Sequence, residues 1–342
     1  MPAPTPKPPV WNVVTVAGAE AGFANGAGAT ARFKSVTAIV ASKVTPNRFY
    51  LADSAGHLIR TMDVGTDGAL TIGTHAGTGV AGSLDGPSAA ATFNRPFGLA
   101  VDTDDTLYVS ESGGHRIRKI APDGTVSTFA GSGAAMSQDG KGLAASFGAP
   151  AGIALAADKT LYVADFGTHL LRKVVPDGTV TTLAGGPGLS GYVDATGSAA
   201  RFNRPAALAV DPASGHLIVA DQYNFRVRQV TAAGVVTTIG GSANAARFFW
   251  DGPALDIAIG YPRALTFDSA GKLFVGSTNV RMRRDDGRLT SYAGLHLTGH
   301  TDAEHSLAYF SNIQGLAFGP KGVLYVADGT RVRAIVPPSP AP

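Results

Sequence analysis

Apolar residues in this chain come in short bursts, and no stretch sustains a 3.6-residue period. In one region the bursts are GIAL at 152–155, LYVA at 161–164, LLRKVV at 170–175 and VTTLA at 180–184. Thr, Val, Leu and Tyr fill the bursts, while Gly, Asp and Pro lie between them, as in the Pro-Asp-Gly at 176–178. That pattern predicts four short strands joined by turns.

The same group of four returns six times. Its landmark is an apolar-aromatic strand that usually ends in an acid: FYLAD at 49–53, LYVSE at 107–111, LYVAD at 161–165, LIVAD at 217–221, LFVGS at 273–277 and LYVAD at 324–328. Successive landmarks end 58, 54, 56, 56 and 51 residues apart, a spacing that indicates a propeller or a related array. The sixth copy lacks a fourth strand, and VVTVAG at 13–18 resembles a fourth strand without the other three. We therefore expect an all-β, six-bladed β-propeller of four-stranded blades, closed by the N-terminal strand completing the last blade. Residues 12–337 form the propeller, between a Pro-rich N-terminal linker (1–11) and a Pro-rich C-terminal tail (338–342).

The repeating unit resembles the NHL-repeat family, named for Asn-His-Leu near its third strand. The matching residues are His57-Leu58, His115, His169-Leu170 and Asn224, each just before an Arg-bearing strand, and the resemblance covers 12–337. It implies the propeller fold, with activities ranging from protein and RNA binding and sensing to amidating lyases. Those lyases draw their metal histidines from several blades, whereas here only one blade is rich in His.

Several repeated residues read as architecture. The acids Asp53, Glu111, Asp165 and Asp221 each precede an Arg by seven residues (Arg60, Arg118, Arg172, Arg228), and Asp328 precedes Arg333 after a shorter turn. Such pairs can tie strands by charge-assisted bonds. In copy five Ser277 replaces the acid, with Arg281, Arg283 and Arg284 nearby. A second series (Asn25, Asp85, Asp139, Asp194, Asp251 and Asp302) lies in the inserts between blades, and is expected to cap short helical turns rather than bind calcium. The Phe that follows would pack the turn onto its blade, and His57, His115 and His169 read as turn or packing residues.

Candidate function lies where the copies differ. The residues entering each first strand, Thr37, Phe97, Ala151, Ala206, Arg263 and Gln314, are expected to face the mouth of a central channel, and Phe166, Gln222 and Tyr223 to adjoin it. The insert before blade five carries Arg247, Phe248, Phe249 and Trp250, the composition of a recognition surface. The insert before blade six holds His296, His300, Asp302, Glu304 and His305; the three histidines could ligate a divalent metal such as zinc.

Composition narrows the classes. The net charge is +3 and only 15% of residues are charged, which argues against nucleic acid as the partner. With no Cys, disulfides and thiolate metal sites are excluded. No apolar run is long enough to span a membrane. The reading is a monomeric, non-catalytic binding or scaffold propeller that recognises a protein, peptide or glycan through Phe97, Phe166, Tyr223, Arg247, Trp250, Arg263 and Gln314, without a cofactor. It is expected to be extracellular or periplasmic after removal of a signal peptide. The alternative is a metal-dependent lyase or hydrolase acting at the channel mouth.

Overall fold

The structure, a computed structural model, describes residues 11–242, 251–295 and 297–338. Six antiparallel sheets follow one another along the chain. Their first strands are Val36–Ala41, Pro96–Val101, Pro150–Leu155, Pro205–Val210, Ala264–Phe267 and Ile313–Phe318, and together they line a central channel of about 540 Å³. This is the six-bladed propeller expected. Five of the sheets gain a two-residue outer strand contributed by the insert, such as Gly86–Pro87 on Thr125–Ala130.

The landmark strands explain themselves through burial. Leu161 and Val163 point into an apolar core shared with blade two, while Tyr162 and Ala164 point into one shared with blade four. Successive side chains of a strand face opposite sides. A strand buried on both sides must therefore be apolar throughout, unlike an amphipathic surface strand. Six such cores, one between each pair of neighbouring blades, make up the interior. Around the channel the inner strands approach so closely that small residues are required. A Cβ on Gly98 would sit 2.4 Å from the Ala151 carbonyl oxygen, and one on Gly152 would sit 2.5 Å from Ala207 Cα.

The N-terminal strand Asn12–Gly18 pairs with Arg331–Val336 and closes the ring, with Val13 opposite Ile335. No helix of the described residues is long and apolar enough to cross a membrane.

The insert acids take a role other than the one expected. Asp85, Asp139, Asp194, Asp251 and Asp302 cap no helix; the short 3-10 turns Gly142–Ala144 and Gly197–Ala199 have no side-chain cap. Each acid instead accepts hydrogen bonds from the backbone N–H and the hydroxyl of a residue on the fourth strand, as Asp85 does from Thr128 at 3.0 and 3.1 Å. Each also approaches the buried Arg of its own blade: Arg118 to Asp85 at 2.6 Å, Arg172 to Asp139 at 2.8 Å, Arg333 to Asp302 at 2.6 Å. The guanidinium is a stronger partner than a neutral backbone amide, and the insert crosses its blade where the Arg ends. In blade one Asn25 serves instead, its Oδ1 2.6 Å from Arg60 Nη2.

The Arg is thus the centre of each blade's polar core. Arg60, Arg118, Arg172, Arg228, Arg281 and Arg333 are among the largest fully buried side chains. Five of them meet the acid that ends the second strand, from 2.8 Å in Arg228–Asp221 to 3.9 Å in Arg172–Asp165. The same five lie over a buried Phe of the insert, such as Arg118 over Phe93 at 5.3 Å. The Phe of the insert does pack it onto the blade, through the face of the guanidinium.

Candidate ligand-binding face

The inserts and the turns between second and third strands share one face, where the channel opens. His57, His115 and His169 sit in those turns with φ between 54° and 63°, the left-handed region. Each reaches the following blade. His57 Nδ1 accepts the Arg95 N–H at 3.2 Å and His169 Nδ1 accepts the Arg204 N–H at 3.0 Å, while His115 Nδ1 bonds the Gly148 carbonyl at 2.6 Å. They are clamps between blades. Arg204 is itself held at φ 54°, so the His169 bond fixes an otherwise unfavourable backbone conformation that aims the Arg side chain outward.

Burial, with help from the neighbouring Arg204, lowers the pKa of His169. The folded state then binds fewer protons than the unfolded chain, so this clamp stabilises above the unfolded value of about 6.5 and is lost as pH falls through the lower folded value. We expect His169→Asn to cost about 1 kcal/mol at pH 7.5, and the gap from wild type to narrow below pH ~6 in urea titrations.

In blade four the clamp position holds Phe225, also left-handed at φ 58°. Its ring meets Tyr261 of the next blade at 4.8 Å. Tyr261 in turn meets Tyr223 at 5.5 Å, and Tyr223 meets Phe166 at 6.3 Å, all edge to face. The Arg204 guanidinium lies over both Phe166 and Tyr223, at 5.4 and 4.9 Å. Arg263 stands 5.9 Å from the Tyr261 ring, and its guanidinium bonds Asn312 Oδ1 of blade six. A continuous row of aromatic rings and guanidinium groups therefore crosses blades three to five. Tyr223 and Tyr261 are 39% and 42% exposed, enough to stack on a ligand.

Of the residues singled out in the sequence, Phe166, Tyr223 and Arg263 come together in this row. Phe97, Arg263 and Gln314 line the channel with Thr37 and Ala206; the carbonyl of Ala151 instead accepts Ser110 Oγ at 2.5 Å. Thr37 turns its hydroxyl to the Phe97 carbonyl of the next blade at 2.8 Å. Sequence reasoning missed Arg204, Phe225 and Tyr261. The signal was present as Phe225 standing where three copies carry His.

Arg247, Trp250 and His296 lie outside the described residues. His300 Nδ1 is 3.6 Å from Asp328 Oδ2, and burial lowers the pKa of His300. His305 donates its backbone N–H to the Trp11 carbonyl at the ring closure, and its Nδ1 is buried without a hydrogen bond. Among the described residues no three His, Asp or Glu side chains gather as a metal-binding group.

The NHL repeat model matches residues 93–120 and 202–230, the same segments of blades two and four from the insert Phe to the Arg-bearing strand. The chain carries NHL repeats on a six-bladed β-propeller. It is 29% identical over 272 residues to NHL repeat-containing protein 2 of Bos taurus, covering 68% of this chain but 36% of the bovine protein. The NHL propeller thus spans about a third of that relative's length. Among solved structures, an auxiliary nutrient binding protein from Bacteroides thetaiotaomicron superposes with a TM-score of 0.69 at 11% identity, covering 97% of this chain and 78% of the other. A streptogramin B lyase superposes with a TM-score of 0.57 at 12% identity, covering 95% and 98%. At such identities the likeness concerns the fold, which is shared by binding proteins and enzymes.

Proposed function

We propose that this NHL propeller is a non-catalytic binding module that takes a glycan, peptide or protein ligand on its insert-bearing face. The observation that carries this reading is the row Phe166–Tyr223–Tyr261, flanked by Arg204 and Arg263. Exposed Tyr rings offer large apolar faces at little entropic cost, and Arg adds directional hydrogen bonds; both residue types concentrate binding energy. The rings are carried by three rigid blades and braced by one another, so little ordering is required on binding.

Oligosaccharide and peptide arrays would select the ligand, and titration calorimetry would then compare Tyr223→Ala and Tyr261→Ala with wild type. Each substitution is expected to weaken binding by about 10- to 30-fold, with the unfolding midpoint little changed. Wild-type affinity in both variants would overturn the proposal. So would turnover of the bound ligand, which belongs to a lyase or hydrolase.

A further inference from the structure

Two blades hold an unfavourable backbone conformation at the same residue type in the same place. Arg95 in blade two and Arg204 in blade four each stand second after the insert Phe and directly before the Pro that opens the first strand. Their φ angles are 52° and 54°, although a residue before Pro ordinarily takes extended backbone with negative φ. A clamp histidine of the preceding blade accepts each N–H, His57 from Arg95 at 3.2 Å and His169 from Arg204 at 3.0 Å. Both Arg residues are exposed. Local strain of this kind concentrates at sites that grip ligands.

The charges on this face are uncompensated. Ion pairs among the described residues draw on other cations; Lys34, Arg95, Arg204 and Arg263 enter none of them. The acids beside these turns face inward. Glu111 has no exposure and accepts the Asn94 N–H at 2.9 Å and an Arg118 N–H at 3.0 Å. Asp221, equally buried, accepts the Asn203 N–H at 2.7 Å and an Arg228 N–H at 2.8 Å. Each of these carboxylates is already neutralised by a buried Arg, so the exposed Arg keeps its full charge. Burial, then the charges of Lys34 and Arg95, lower the pKa of His57, and the opposing influence of Asp53 is smaller. Arg263, half-buried, lines the channel beside Gln314, whose amide has no hydrogen bond among the described residues.

We infer that the ligand of this face is an acidic oligosaccharide, one whose sugar units carry carboxylates. The inference rests on the reading of the aromatic row as a binding face, and specifies what that face takes. A guanidinium fork matches a carboxylate with two parallel hydrogen bonds. Arg204 lies over both Phe166 and Tyr223, so cation and aromatic surface stand side by side. A hexuronate unit has one apolar C–H face and one carboxylate, and successive units place the first on a ring and the second on a guanidinium. An acidic peptide carries its carboxylates on flexible side chains without a flat apolar face beside each, and leaves the rings unused. Arg95 of blade two and Arg263 of blade five stand on opposite sides of the six-bladed ring, so a chain laid over the channel mouth reaches both.

The test is titration calorimetry of the whole protein with tetragalacturonate and tetramannuronate, each beside its methyl ester, which keeps the sugar and removes the charge. At least one acid should bind, and its ester should bind about tenfold more weakly or worse. Raising sodium chloride from about 50 to about 500 mM should weaken the acid and spare the ester. Arg95→Gln and Arg204→Gln should each weaken the acid about tenfold and leave the ester within about twofold, with the unfolding midpoint unchanged, whereas Tyr223→Ala should weaken both. Acid and ester bound equally, with Tyr223→Ala weakening both, would overturn this inference and leave the binding face standing. Tyr223→Ala weakening neither would remove the face, and this inference with it. No binding of either acid at millimolar concentration would overturn the acidic oligosaccharide, as would tetraglutamate bound more tightly than both. Should an Arg variant fail to fold, the comparison of acid with ester on wild type decides.

Discussion

Arg228→Ala is expected to lower the unfolding free energy by about 3–5 kcal/mol, the usual cost of breaking a buried ion pair by removing one partner. Arg228 is fully buried and engages two acids, Asp221 at 2.8 Å and Asp194 at 2.5 Å. It also donates to the carbonyls of Arg201 and Val193, at 3.2 and 3.0 Å, and lies over the rings of Phe202 and Tyr192. Alanine would leave Asp221 with no exposure and no cation, whereas Asp194 retains access to solvent.

The sign of the pH dependence distinguishes this cause from simple loss of packing. Burial pushes the Asp221 carboxyl up to about 6, against the hydrogen bonds of Asn224 and Asn203 and the charge of Arg228. Without the Arg that value rises further, so the folded variant binds a proton that the unfolded chain releases. Its stability deficit is therefore full only above the variant's raised value and shrinks as the pH falls from there toward about 6, below which the wild-type carboxyl is protonated as well. Urea midpoints of both proteins from pH 5 to 8 measure this. A deficit below 1 kcal/mol, or one independent of pH, would mean that Asp221 is solvated in the variant. The double change Asp221→Asn with Arg228→Met should recover much of the loss, because it leaves no buried charge at the blade's centre.

The spacing of acid and Arg was legible in the sequence because both residues recur in register and lie on adjacent strands. The second anchor was not. Asp85 meets an Arg 33 residues further on, and an acid before a run of small residues has the local signature of a helix cap; only the path of the insert across the blade decides between them. The blades, the interblade cores and the closing strand follow from repetition, which a single sequence displays. The aromatic row depends on differences between copies. Phe166 and Tyr223 stood out as turn residues, but Tyr261 gains its place only because Phe225 substitutes for a clamp histidine in the preceding blade. Juxtaposition between blades is a property of the closed ring, and no local window of sequence contains it.

That ring depends on one terminal strand, and Val13→Asp should expose the dependence. Val13 is fully buried opposite Ile335, in the core shared by blades five and six with Phe274 and Phe310. A carboxylate there has no cation partner, so a loss of about 3–5 kcal/mol is expected. The neighbouring Asn12 points outward and is exposed, and Asn12→Asp should stay within about 0.5 kcal/mol of wild type. The loss should begin locally. Displacing Asn12–Gly18 uncovers the edge of Arg331–Val336 and removes the Thr15 contacts to Asp302, while the sheets of blades two to four keep all their strands. Native-state hydrogen exchange of Val13→Asp should therefore show the amides of Arg331–Val336 losing protection well before those of Leu161–Asp165. Equal loss across all blades would mean that the ring opens as one unit, with the terminal strand no weaker than any other seam. An unprotected outer edge also favours pairing between chains, so the same variant should form concentration-dependent oligomers, detected by light scattering, where wild type and Asn12→Asp do not.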